Sequence, residues 1–461
     1  MTAETRKRDI LLTLMISLFA GGLPLSALPV ALPSIADALG LTAVQTGGVS
    51  VVFALVSAAF ILPVGRLADI IGRRRIFATG LAIVATGLAA SALAPSWLLL
   101  MAALALTGLG TAMSIATGMA LLSSAFPAQE RGRALGMVTA AVYLGHTLGP
   151  SIGGLLTHHF GWRSIFLPTI LLHSLLLAFL LRRVGDPVAE AHGESFDFGG
   201  AAIFSVMLFC ILYGFSSMNL PVGRWALAAG ALLFIAFVIQ ESRVTQPMLD
   251  LRLVTGNRLF AFSDLTHLLF YMAIVPMPFL LSLYLQYVRG YDPQQTGFLL
   301  LLQPAIMVVV SPFAGRLADR TDPRVLVTAG IAIVTCSLLL YLAAITRGWQ
   351  PGIAAGLLTG GVGFALFSSP NSNAIMGSVA SRHYGVAAAF ESTMRGMGVA
   401  FGMGIVMMLF SLRLGGMRIT PEHHAAFVDT VKLALVIGVA ISVASMCFSV
   451  ARGPPGARAR G

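Results

Sequence analysis

Charged side chains are few in this chain: Asp, Glu, Lys and Arg make up 10% of its 461 residues, against about 25% in ordinary globular domains. With 57% of the residues hydrophobic, there is too little polar surface to wrap a set of water-soluble domains. The net charge of +11 would otherwise suggest nucleic acid. That requires a basic patch on a foldable soluble domain, and here the basic residues lie in short clusters between apolar runs, so no nucleic-acid partner is expected. Cysteine is also rare. Cys210, Cys336 and Cys447 sit in three different apolar runs, which excludes a disulfide framework and suggests no metal site; they read as small apolar fillers. No Gly-x-x-x-x-Gly-Lys-Ser/Thr phosphate loop occurs, and no nucleophile can be assembled with a base and an orienting partner. Neither an ATP-driven pump nor an enzyme is expected, and no cofactor is implied.

What the chain does have is apolar runs of the length needed to cross about 30 Å of hydrocarbon. Read against their breakers, they predict an all-α polytopic membrane protein with fourteen spans, at 10–33, 46–65, 76–95, 97–122, 134–157, 164–181, 199–218, 225–240, 259–286, 294–315, 325–345, 351–376, 386–411 and 433–450. Without the short run at 225–240, its neighbour at 199–218 would be unpaired. Cytoplasmic loops retain Lys and Arg, and with both termini cytoplasmic 21 of the 29 basic residues fall inside and 7 outside, Arg395 lying within a span. Deleting one span would invert every downstream loop and spoil that bias. The first run follows Arg6-Lys-Arg8 but is too long for a signal peptide and has no small-residue cleavage site after it, so it reads as a retained helix.

One motif occurs twice: Gly65-Arg-Leu-Ala-Asp69-Ile-Ile-Gly72-Arg73-Arg74-Arg75, and Gly315-Arg-Leu-Ala-Asp319-Arg-Thr-Asp322-Pro323-Arg324. Each copy joins two apolar runs, as expected of a membrane protein built from two related halves. The predicted organisation is an N-terminal six-helix half (1–182), a cytoplasmic linker (183–198), an inserted two-helix hairpin with its following loop (199–258), a C-terminal six-helix half (259–451) and a cytoplasmic tail (452–461). In the first copy Gly65 is expected to permit close helix approach, Asp69 to accept from a helix N-terminus or pair with an arginine, and Gly72 to permit the sharp turn. Ordinary positive-inside charge is the competing reading of Arg73, Arg74 and Arg75.

The first copy resembles the signature between the second and third helices of the major facilitator superfamily. That resemblance implies a latch at Gly65, Asp69, Gly72, Arg73 and Asp319, with the second copy degraded because Asp322 and Pro323 replace a glycine and a basic residue. In the fifth span, Gly145-His-Thr-Leu-Gly149-Pro150-Ser-Ile-Gly153-Gly154 resembles the motif of drug:proton antiporters in this superfamily. Such a run would be ruinous in a soluble helix, at about 1 kcal/mol per glycine; in lipid it allows tight packing and a tolerated kink. Together with Phe126–Gly136, Leu283–Tyr291 and the fourteen spans, the resemblance extends to the fourteen-helix drug:proton antiporter branch.

This chain departs from that branch at two places. Pro24 stands where the first helix usually carries an aspartate before Ala31-Leu32-Pro33, and Leu104 where the fourth usually carries an arginine before Gly108-Leu-Gly110. Candidates for proton coupling therefore fall in the C-terminal half: Asp264 and His267, three apart, and Glu391 and Arg395, four apart, each pair sharing a helix face. Ionisable groups within spans are costly and usually functional. The competing readings are a snorkelling interfacial acid for Asp264 and a self-satisfied salt bridge for Glu391 and Arg395. His146 and His173 read as hydrogen-bonding singletons. The expectation is a monomeric, multi-pass protein of the bacterial inner membrane, exporting small amphiphilic molecules in exchange for protons. A metabolite uptake or exchange carrier and a transport-inactive sensor or scaffold are the alternatives.

Overall fold

The computed structural model of the chain describes residues 3–126, 128–183, 197–244, 256–318, 321–379 and 384–453. Asp319 lies outside them, as do most of the linker and tail, and the side chain of Asp69 is likewise undescribed. The described chain is helical because a bilayer offers no water to satisfy backbone N–H and C=O groups. Six helices come first: α1 (Ala3–Leu39), α2 (Ala43–Ile71), α3 (Arg73–Leu93), α4 (Trp97–Ala125), α5 (Ala128–Phe160) and α6 (Leu167–Arg183). The hairpin is α7 (Phe198–Ser216) and α8 (Pro221–Arg243). Six more follow. α9 runs Arg258–Val288 with a break at Val275 and a final π turn, and α10 runs Pro293–Ala318. The last four are α11 (Pro323–Arg347), α12 (Gln350–Gly377), α13 (Tyr384–Arg413) and α14 (His424–Ala451).

Thirteen of these are long and apolar enough to cross a membrane; the other is α5, whose glycines and histidines dilute its apolarity. The doubtful eighth span is a 23-residue helix with only 17% of its most apolar window buried, as befits a helix facing lipid. Several helices outrun the predicted spans. α1 begins early enough to contain Asp9, which is 4% exposed. The predicted spans held Asp264 and Glu391; α1 adds Asp9, one residue outside the 10–33 boundary.

Packing repeats between the two sets of six. α1 packs on α5 and α6 as α9 does on α13 and α14; α4 packs on α2 and α3 as α12 does on α10 and α11; and α3 meets α6 as α11 meets α14. Between the sets, α2 lies against α13 and α5 against α10. The hairpin covers the first of these seams, because α7 touches both α2 and α13. Ser205 donates to the Ala59 carbonyl of α2 (3.1 Å), and Ser411 of α13 donates to Asn219 in the hairpin turn (2.6 Å).

The start of α1 and the end of α14 lie on one face, here the terminal face. The largest hydrophobic cluster draws on both sets and the hairpin: it fills the opposite, far half of the bundle, from Ala27 and Leu28 to Leu283 and Phe427, and runs on toward the terminal face along the hairpin side at Leu62, Phe204 and Phe237. Toward the terminal face the other described clusters belong to one set each: Leu14 with Phe77 and Val64 with Ile76 in the first, Phe270 with Ile331 and Phe260 with Phe390 in the second. The two sets thus share a core at the far end and, away from the hairpin side, keep separate cores toward the terminal end.

Candidate functional site

The start of α9 is fixed from three directions. Asn257 accepts from the Phe260 N–H (3.1 Å) and donates to the Ser378 carbonyl at the end of α12 (2.7 Å); Arg258 donates to the Ala451 carbonyl at the end of α14 (2.8 Å). The next turns carry Asp264 and His267, each 1% exposed. Asp264 is no snorkelling acid. Both its carboxylate oxygens are buried without a hydrogen-bond partner, and no ion pair joins it to His267 among the described residues.

His267 turns instead to α12 and α13. Its Nδ1 lies 3.2 Å from Asn371 Nδ2 and 3.7 Å from Glu391 Oε1. Its ring stacks on Tyr271, with centroids 4.8 Å apart and planes at 18°. Glu391 accepts a short hydrogen bond from Ser372, and its side chain is 13% exposed. The self-satisfied Glu391–Arg395 salt bridge, the competing reading of that pair, does not form: the acid is held from α12 and α9, while Arg395 stays within electrostatic reach of Glu391, His267 and His146. Below this cluster Arg452, 2% exposed, donates from Nη1 to Asn371 Oδ1 (3.1 Å) and Ser263 Oγ (3.3 Å). Above it Tyr143 of α5 bonds Ser368 of α12 (3.0 Å), which joins the two sets at mid-depth.

Sequence reasoning missed Asn371, Ser372, Arg452 and Tyr143. A signal existed for the first two, since Ser368-Ser-Pro-Asn371-Ser372-Asn373 is a polar run inside an apolar helix. Arg452 carried none, being one more basic residue after a last span. His146 and His173 each bond the carbonyl one turn back, Val142 and Thr169 (3.0 Å each).

The glycines of the fifth span do mechanical work. A Cβ at Gly145, Gly149 or Gly153 would run into α1, at the Phe19 carbonyl, Ser26 and Ala27; one at Gly154 would strike the Pro293 carbonyl of α10. Three glycines therefore mesh with α1 in their own set and the fourth faces the other set. Pro150 belongs to the same seam, since its carbonyl is what a Cβ at Gly297 would meet. At the repeated loop, Gly72 has φ +118°, a conformation that L side chains rarely adopt. Gly65 is less demanding: its added Cβ would find Ala116 Cβ at 3.7 Å, an ordinary contact, so close approach does not require glycine there. Arg74 ties the start of α3 to the Leu180 carbonyl of α6 (3.3 Å). In the second loop Asp322 caps α11, accepting from the Arg324 N–H (2.8 Å), and Pro323 opens the helix.

At the far face, α9 closes against α1. Gln286 donates to the Val30 carbonyl (2.9 Å), and the Tyr287 hydroxyl donates to Asp37 (3.1 Å) and lies 3.3 Å from the Pro33 carbonyl. Beside them the Ala43 N–H meets the Met417 carbonyl (3.0 Å).

Known proteins share both sequence and architecture with this chain. It is 28% identical over 448 residues to the riboflavin transporter RibZ of Clostridioides difficile, covering 96% of each chain. It is 32% identical over 402 residues to the multidrug resistance protein Stp of Mycobacterium tuberculosis, covering 85% of this chain and 74% of that one. Among solved structures, the peptide transporter POT in complex with alafosfalin superimposes with a TM-score of 0.71 at 14% identity, covering 98% of this chain and 99% of that one. A bundle of membrane-crossing helices in two matching sets, the loop motif at Gly65 and a family profile matched over residues 14–403 agree: the chain belongs to the Major Facilitator Superfamily, as a multi-pass membrane transporter of small molecules.

Proposed function

We propose that the protein exports amphiphilic drugs or toxic metabolites from a bacterial cell in exchange for protons, by rocking of the two six-helix sets about a central site. The observation that carries this reading is Asp264, a buried carboxyl with no partner, beside the Glu391–His267–Asn371 cluster. A bare carboxylate in such a place costs several kcal/mol, and binding a proton removes that cost. A site whose energy depends so strongly on one proton is suited to coupling. The core shared at the far face and the separate cores at the terminal face fit a state open toward the termini. The basic-residue bias makes that the cytoplasmic side of the inner membrane, with the protein acting as a monomer.

The energetics are adequate. One proton entering down about 100 mV and about half a pH unit releases about 3 kcal/mol, enough for a roughly hundredfold gradient of a neutral substrate. For a monovalent cation exchanged one for one the voltage contributions cancel, leaving about 0.7 kcal/mol and a gradient near threefold. Export of a cation needs two protons. Asp264 serves as the main carrier, Glu391 as the second, with His267 and Arg395 setting their balance. The latch motif on the terminal face then sets the balance of inward- and outward-facing states.

Two observations favour a second reading, a metabolite uptake or exchange carrier: the riboflavin transporter matches nearly end to end, and Pro24 and Leu104 replace the usual acid and arginine. An efflux-deficient strain expressing this chain, screened with cationic and neutral toxicants and with riboflavin, separates the two. Lower cell-associated dye supports export; accumulation of riboflavin or another nutrient supports uptake. Absence of flux from proteoliposomes with every compound would leave a sensor or scaffold.

A further inference from the structure

Asn371 meets two neighbours whose hydrogen-bonding roles are fixed, and a third, His267, whose role depends on its tautomer. Arg452 Nη1 is donor-only and lies 3.1 Å from Oδ1; the Ser263 carbonyl is acceptor-only and lies 3.2 Å from Nδ2. Each alone assigns the amide orientation, and they agree. One Nδ2 hydrogen is thus spent on Ser263, and the other points at His267 Nδ1, 3.2 Å away. A nitrogen that receives a hydrogen bond needs its lone pair, so the ring proton sits on Nε2. The arginine that anchors this arrangement comes from just beyond the last helix.

The same Nδ1 also lies 3.7 Å from Glu391 Oε1. It can donate toward that carboxylate only when it carries a proton, and then it can no longer accept from Asn371. The two bonds exclude one another. We infer that Asn371, oriented by Arg452 and the Ser263 carbonyl, is a positioning residue that holds His267 neutral with its proton on Nε2, so that loading a proton between His267 and Glu391 first requires the Asn371 bond to break. The groups that bear on this ring are Asp264 and Tyr271 on α9, Glu391 and Arg395 on α13 and Arg452 after α14; α12 presents the amide of Asn371 and no charge. The tautomer stands on the Asn371 bond, which outweighs the lack of a partner for the buried Nε2, while its consequence for transport rests on the proton-coupled reading above.

The test is 15N NMR of histidine-labelled full-length protein in lipid nanodiscs near neutral pH, with the His267 signals assigned by their loss in His267→Gln. In the wild type, Nε2 should resonate as a protonated, pyrrole-type nitrogen and Nδ1 as an unprotonated, pyridine-type one. Asn371→Asp keeps the shape but turns an acceptor toward Nδ1, and Arg452 beside it keeps the new carboxylate charged; Nδ1 should then become the protonated nitrogen. A wild-type spectrum with the proton on Nδ1, or an Asn371→Asp protein with an unchanged His267 pattern, overturns the inference. The wild-type result decides even if the variant fails to fold. A correct tautomer in a protein that proves to move no protons would leave the positioning role standing and remove the coupling.

Discussion

The two six-helix sets share a packing scheme but not a chemistry. α5 meshes with α1 through Gly145, Gly149 and Gly153, and α13 meshes with α9 through Gly398 and Gly402, which would strike the Leu268 and Met272 carbonyls if they carried a Cβ. Each of these helices also faces the other set, Gly154 toward α10 and Gly396 toward α2. The acids of the two leading helices show where the resemblance ends. Asp9 and Asp264 are each the seventh residue of α1 and α9 and both are buried, yet Asp9 has Arg8 within 3.8 Å, while both Asp264 oxygens lack a partner. Among the described residues, the duplicated scaffold thus carries an unpartnered buried acid in its second set and a partnered one in its first. The transferable point is that a repeated backbone preserves close-packing positions, because one methyl group too many separates two helices, whereas polar side chains can diverge between copies.

The scaffold half of this comparison should break most violently. Gly145→Leu and Gly402→Leu each push a side chain into a backbone carbonyl, and overpacking of that kind costs about 3 kcal/mol or more. Both variants should lose most of their monodisperse protein on size-exclusion chromatography. Gly315→Leu, at a site with no atom within 4 Å of an added Cβ, should not. Equal tolerance at all three positions would dissolve the symmetry of the packing.

Next comes the asymmetry of the loops. Asp69→Asn should leave membrane insertion intact and cut turnover roughly tenfold, a bias of about 1.4 kcal/mol between the two facing states. Asp319→Asn should do less, because its loop is built around a helix cap. Matching losses in initial transport rate would contradict the difference between the copies. The paired acids sharpen it further: Asp9→Asn should keep gradient-driven transport within about twofold of wild type, since that buried carboxylate already has the exposed Arg8 beside it.

The smallest effect belongs to Asp322. Burial pushes its carboxyl up, but the hydrogen bonds from the Arg324 side chain and N–H, with the charges of Arg324 and Arg452, outweigh burial and hold it below the ordinary carboxylate range. A carboxyl depressed in the folded state adds stability that is present above its unfolded value of about 3.9 and is lost as pH falls through the folded value. Asp322→Ala should therefore lower the melting temperature at neutral pH by the equivalent of about 1 kcal/mol, and the gap from wild type should close in strongly acidic buffer. Thermal melts at the two pH values check the sign.

Much of the fold was legible because the bilayer imposes a length and an orientation on every segment. Span count, hairpin and two-fold repeat all followed from run lengths and from where arginine sits. Helix ends were less so, because residues such as Asp9 and Glu241 sit at the interface where apolar and polar stretches meet. The α5 glycines were readable as a stripe, yet the equivalent stripe on α13 was not, since Gly396, Gly398, Gly402 and Gly404 spell no familiar motif. At the site, Asp264, His267 and Glu391 stood out as charges in lipid. Their partners did not: pairing Glu391 with Ser372, and His267 with Asn371, depends on how α9, α12 and α13 cross, and spacing along one helix pointed instead to Arg395. Gln286 and Tyr287 lie in the Leu283–Tyr291 stretch, but their contacts with α1 depend on the opposing Val30 and Pro33 carbonyls and Asp37, which no sequence pattern marks.

The claim at the centre of this account is that Asp264 carries the coupling proton. Its most direct test is Asp264→Asn in inverted membrane vesicles energised with a proton gradient, using a substrate found by the toxicant screen. Uphill accumulation should be abolished while exchange of labelled for unlabelled substrate without a gradient continues at the wild-type rate. Accumulation against the gradient at the wild-type rate would place coupling elsewhere or make the protein a uniporter.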